Sequence, residues 1–131
     1  MILKLLYVSF AVEDVNETRR TFRELFGLTG QAMAPDPFLG TDRGARIPFP
    51  NECWLYFMES ENPASSVFQH IEQRGPGLER VAFLSDDIEA EFERVRNAGV
   101  ELPEDALVDT PSGWRFVVPP EQVSGVRVEV I

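Results

Sequence analysis

The residues of this sequence whose types and spacing most invite chemistry are Tyr7, Tyr56, Arg80 and Glu129. Tyr7 and Arg80 stand 73 residues apart, and so do Tyr56 and Glu129 (80 − 7 and 129 − 56). Arg80 is conspicuous because it lies in "LERVAFL", a run that is otherwise mostly apolar. A carboxylate, a guanidinium and two phenols together offer a proton acceptor, a permanent cation and two hydroxyl groups. Such a set can hold an anionic oxygen and move a proton beside it.

The same spacing organises the whole chain. With Tyr7 set over Arg80, "LLYVSFAVEDVNETRRTFRELFGL" runs in step with "LERVAFLSDDIEAEFERVRNAGV". Each half has an apolar run of strand length, an Asp at the helix N-cap (Asp14, Asp87), an apolar helical period, and a Gly that ends the helix (Gly27, Gly99). Downstream, "GARIPFP" matches "GWRFVVPP", and "ECWLYFMES" takes the place of "GVRVEVI". The expected strands are roughly 4–12, 30–34, 44–49 and 52–59, then 78–85, 105–109, 113–118 and 125–131. Between the halves a linker helix is expected over about 61–76, with Pro63 in its first turn and Gly75 at its end. One domain over 1–131 follows, with module one about 1–60 and module two about 77–131. The fold class is α+β: two pseudo-symmetric βαβββ modules forming a curved, barrel-like mixed sheet around one cavity.

Strand alternation divides the side chains. Val8, Phe10, Leu55, Phe57, Val81, Phe83 and Val128 belong to the helix-packed layer. Tyr7, Ser9, Trp54, Tyr56, Met58, Arg80 and Glu129 share the opposite face, which is aromatic and apolar with one cation and one carboxylate. That composition suits an organic-ligand pocket. Arg46 and Arg115 are weaker candidates for its mouth, and His70, the one histidine, reads as a solvated residue of the linker helix.

Bulk composition narrows the function. The chain has 131 residues, 44% of them hydrophobic, and a formal charge of −10 with its basic residues scattered, which argues against a nucleic-acid partner. Cys53 is the only cysteine, so no intrachain disulfide can form and a cysteine-rich metal site is excluded. "MILKLLYVSFAV" lacks the basic region and small-residue cleavage site of a leader and is too short to span a bilayer. The expected compartment is the cytoplasm, with no membrane partner.

The quoted segments, with the closing "GVRVEVI", resemble the vicinal oxygen chelate superfamily of glyoxalases, bleomycin resistance proteins and extradiol dioxygenases. The methylmalonyl-CoA epimerase-like branch looks closest, and the resemblance implies paired βαβββ modules and a homodimer. It also assigns a divalent metal to four positions, which here are Tyr7, Tyr56, Arg80 and Glu129. Only Glu129 is an acceptable ligand, because a guanidinium donates hydrogen bonds and repels cations. No metal and no other cofactor is therefore expected.

Two functions fit these residues. One is a metal-independent isomerase, lyase or cyclase acting on a small carbonyl, thioester or natural-product substrate. Glu129 would be its acid or base, with Arg80 and the phenols of Tyr7 and Tyr56 as oxyanion or carboxylate partners; Ser9, Arg46, Trp54, Met58 and Arg115 would bind ligand. The other is a non-catalytic, drug-sequestering protein of the bleomycin-resistance type, which traps a flat or cationic compound in its aromatic cavity. In a third reading Arg80 and Glu129 form only a structural ion pair. The catalytic reading accounts for more of the residues.

Overall fold

A computed structural model describes all residues Met1–Ile131. Along the chain run β1 (Ile2–Ala11), α1 (Val15–Phe26), β2 (Gln31–Met33), β3 (Arg43–Phe49) and β4 (Cys53–Glu59). After α2 (Ser66–Arg74) come β5 (Gly77–Ser85), α3 (Ile88–Asn97), β6 (Val108–Thr110), β7 (Gly113–Val118) and β8 (Arg127–Val130). The fold is mixed α+β, and each half has the expected strand–helix–three-strand order.

The helix ends follow the local chemistry. The Asp14 carboxylate accepts from the Glu17 N–H and the Asp87 carboxylate from that of Ala90, each satisfying a donor of the first turn. Gly27 closes α1 at φ 67°, a left-handed conformation that costs glycine little. The linker helix is shorter than 61–76. Ser65 caps it through the Val67 N–H, so Pro63 lies in a preceding turn rather than in the first helical turn.

Two compact units divide the chain, Tyr7–Glu79 and Arg80–Ile131, the second taking in Met1–Leu6 as well. Strands of the first are ordered β2-β3-β4-β1, and those of the second β5-β8-β7-β6. In each, one pair is parallel (β1 with β4, β5 with β8) and the remaining neighbours are antiparallel. The first core gathers Val12, Val15, Ala45, Ile47 and Phe57, with Phe10, Phe22 and Leu55 against them. The second gathers Phe92, Leu102, Phe116, Val118 and Val130, with Val95 and Val128 against them.

Register repeats between the units. Tyr7 opposes Trp54 as Arg80 opposes Arg127, and Ser9 opposes Tyr56 as Ala82 opposes Glu129, each equivalence at an offset of 73 (80 − 7, 129 − 56). The antiparallel strands obey a different offset. Arg46 opposes Tyr56 as Val117 opposes Glu129, which is 71 (117 − 46). Aligning "GARIPFP" with "GWRFVVPP" on Gly and Arg implies 69, so that alignment slips by two residues and Arg115 takes the place of Gly44 rather than of Arg46. A slip of two preserves the face, so Arg115 still lies on the expected side.

Candidate functional site

In the unit containing β5, β7 and β8, each of these strands carries a charged side chain packed away from solvent. Glu129 is 0% exposed, Arg80 2% and Arg115 6%. Phe116, Val118, Val128 and Val130 fill the layer against α3, so alternation turns Arg115, Val117, Arg127 and Glu129 to the other face. Arg115 Nη1 donates to Glu129 Oε1 at 2.6 Å, within the range of a strong charge-assisted bond. Arg80 Nη1 reaches Glu129 Oε2 at 3.5 Å, a longer contact. Both oxygens of the carboxylate are thus engaged by guanidinium groups. Ala82, the direct neighbour of Glu129 across the parallel ladder, is small enough to leave room for the two long side chains to converge.

Sequence reasoning gave Arg80 the central place beside Glu129 and Arg115 the edge. The observed distances reverse that order, because Arg115 lies two residues from Val117 and so diagonally across from Glu129. Arg127 is a residue that sequence reasoning passed over. It opposes Arg80 in the ladder, shares the face of Glu129 and is half-buried. Its parity with Glu129 was visible in "RVEV", and its register partner was not.

In the unit Tyr7–Glu79 the remaining candidates form an aromatic face. Tyr7, 2% exposed, stacks on Tyr56 with ring centroids 4.3 Å apart and planes 18° from parallel. The Arg46 guanidinium lies over the Trp54 ring at 4.3 Å. Ser9 and Met58 are fully buried. All of these residues stand on the side opposite the Phe10, Ile47 and Phe57 core. His70 departs from the solvated reading: it is half-buried, and its Nδ1 is enclosed with no hydrogen-bond partner.

A divalent metal does not suit the positions that the superfamily resemblance assigns to it. Of the residues there, Arg80 is a cation and Tyr7 and Tyr56 are phenols, poor ligands while protonated. The carboxylate of Glu129 already serves two guanidinium groups. An added cation would have to displace Arg115 and remain beside Arg80, against Coulomb repulsion that burial makes stronger.

No helix is long and apolar enough to cross a membrane. No curated protein matches the chain. Among solved structures, methylmalonyl-CoA epimerase from Mycobacterium tuberculosis superposes with a TM-score of 0.83 at 21% identity, covering 98% of this chain and 87% of that one. The Streptomyces coelicolor epimerase in complex with 2-nitronate-propionyl-CoA gives 0.82 at 20%, covering 99% and 96%. A hypothetical protein from Bacillus halodurans C-125 gives 0.81 at 23%, covering 97% and 91%. These likenesses establish a shared fold. A family model described as a glyoxalase-like domain matches residues 8–130, nearly the whole chain, and the protein belongs to that family within the vicinal oxygen chelate superfamily.

Proposed function

We propose that this protein is a metal-independent enzyme, a cytoplasmic homodimer, that moves a proton at the carbon beside the carbonyl of a small carbonyl, thioester or natural-product substrate. Isomerisation is the core reaction, and loss of a group or ring closure from the same enolate gives the lyase or cyclase outcome. The observation that carries this reading is the buried Glu129 carboxylate gripped through both oxygens by Arg115 and Arg80. Glu129 takes the proton from carbon, and negative charge then grows on the carbonyl oxygen. A guanidinium positioned for that oxygen stabilises it by charge and by directed N–H donors, without the reorganisation that water requires. As Glu129 becomes neutral, its hold on Arg80, the looser partner at 3.5 Å, weakens and that cation turns to the enolate.

The Streptomyces coelicolor epimerase holds 2-nitronate-propionyl-CoA, and a further structural neighbour, a methylmalonyl-CoA epimerase, holds methylmalonyl-CoA, which makes an acyl-CoA a natural first probe. The test is exchange of the α-proton of methylmalonyl-CoA and of simpler thioesters in deuterium oxide, followed by NMR. Wild type is expected to exchange at least one of them, and Glu129→Gln to lose exchange while still melting cooperatively, at a lower temperature because two buried guanidinium groups lose their counter-charge. Exchange that survives Glu129→Gln overturns Glu129 as the base. Light scattering on the same samples is expected to give a dimer mass, and a monomer mass removes the homodimer from the reading.

The sequestering alternative draws on the Tyr7–Tyr56 and Arg46–Trp54 stacks, which are aromatic surfaces of the kind that hold flat compounds. Tight binding without turnover of any bound compound is the result that favours it.

A further inference from the structure

We propose that the face of β1, β4 and β3 turned away from α1 binds a flat carboxylate bearing a second oxygen function, with Arg46 taking the carboxylate and Ser9 the second oxygen. The acid–base reading of Glu129 is not needed for this. Ser9 opposes Tyr56 in the parallel ladder and Tyr56 opposes Arg46 in the antiparallel one, so the three side chains form a single row across the strands. At one end, the Ser9 hydroxyl is fully buried and makes no hydrogen bond. Buried hydroxyls almost always find a partner, because an unpaired one forfeits its hydration for nothing, and a ligand oxygen supplies what the chain does not. At the other end, the half-buried Arg46 lies over Trp54, its guanidinium carbon 4.3 Å from the ring centroid, and pairs with no carboxylate. Stacking on the indole leaves the edge of the guanidinium, with its parallel N–H donors, as the part that addresses an anion.

Between the two ends stands the Tyr7–Tyr56 stack, an aromatic wall against which a conjugated ring can lie. Two strand spacings separate Ser9 from Arg46, roughly 9.5 Å along the row, which the inward reach of the arginine shortens to the length of one ring with a short unsaturated arm. The row is sealed at Ser9 and open at Arg46, so the carboxylate stays near solvent while the far oxygen goes in. Tyr56, half-buried, is the more exposed ring of that wall.

Three compounds test the proposal: 4-hydroxycinnamate, cinnamate and methyl 4-hydroxycinnamate. Titrations follow tryptophan fluorescence in a Trp114→Phe background, where Trp54 is the remaining indole of the two. 4-Hydroxycinnamate is expected to quench saturably. Cinnamate should bind about fivefold more weakly, the size of one ordinary hydrogen bond, and Ser9→Ala should erase that preference. The methyl ester, and Arg46→Met with the free acid, should each lose about tenfold, as expected for a charged hydrogen bond. Ser9→Ala should also hold or raise the melting temperature, since it deletes an unpaired hydroxyl. A lower melting temperature, a cinnamate penalty that survives Ser9→Ala, an ester that binds as well as the acid, or no saturable quenching at millimolar 4-hydroxycinnamate overturns the proposal. These arms leave Glu129 intact, so their failure and failure of the exchange experiment are told apart.

Discussion

Deleting Arg80 and deleting Arg115 are different operations on Glu129. Without Arg80, the carboxylate keeps its 2.6 Å bond to Arg115, so the remaining charge is still paired. Without Arg115 the carboxylate, which has no exposure to water, loses its short 2.6 Å bond and keeps the longer 3.5 Å contact with Arg80. Breaking a buried pair costs about 3–5 kcal/mol when the survivor is stranded, and a partner that remains absorbs much of that. Arg115→Met is therefore expected to destabilise by about 3 kcal/mol and Arg80→Met by about 1 kcal/mol. Urea unfolding of the two variants decides the order, and equal losses would mean that the carboxylate is shared evenly. Turnover should follow the reverse order if Arg80 is the cation that meets the enolate. From sequence, the identity of Glu129 and Arg80 as a buried charged pair was readable in strand parity. The dominance of Arg115 was not, because it depends on the register of β7 against β8, which sets Val117 opposite Glu129 and which parity alone leaves open.

At the scale of elements, β3 and β4 meet α1 through Glu59. Its side chain forms a 3.8 Å ion pair with Arg43, the residue opposite it in the ladder. Burial pushes the Glu59 carboxyl above its ordinary value of 4.5, against the opposing pull of the Val15 backbone N–H and of Arg43. A carboxyl that the fold prefers protonated adds stability below its unfolded pKa. That addition is lost as pH rises from 4.5 through the raised folded value. Glu59→Gln keeps the shape and a hydrogen-bond acceptor while removing the partly buried charge. It should therefore be at least as stable as wild type at pH 7, with a flatter stability profile just above pH 4.5. Thermal melts from pH 4 to 7 test this, and a variant less stable at pH 7 would show that the Arg43 pair outweighs burial. Elements of this kind were largely legible beforehand: Asp14, Asp87, Gly27 and Gly75 bound their helices as their chemistry requires. The strand expected at 105–109 was not, since a 3-10 turn over Glu104–Ala106 follows Pro103 and delays β6 to Val108–Thr110.

For the molecule as a whole, net charge separates the two readings of its ligand. Acidic residues number 22 against 12 basic ones, for a formal charge of −10, whereas the proposed sites present arginines: Arg80 and Arg115 in one unit, Arg46 in the other. An anionic ligand is consequently repelled at long range and attracted at short range. Salt acts unequally on the two, because a Debye length that falls from about 30 Å at 0.01 M to about 8 Å at 0.15 M erases the distant repulsion while buried contacts are screened far less. Association of a carboxylate such as 4-hydroxycinnamate, or of a thioester anion, should speed up on the order of threefold over that range. A cationic compound of the kind a sequestering protein would trap should slow down by a similar factor, since the −10 charge draws it in and salt removes that steering. Stopped-flow fluorescence at four or five ionic strengths gives the slope directly. A carboxylate whose association slows as salt rises would mean that local guanidinium attraction governs the encounter even at long range, and the charge argument for an arginine-lined site within an acidic body would fall.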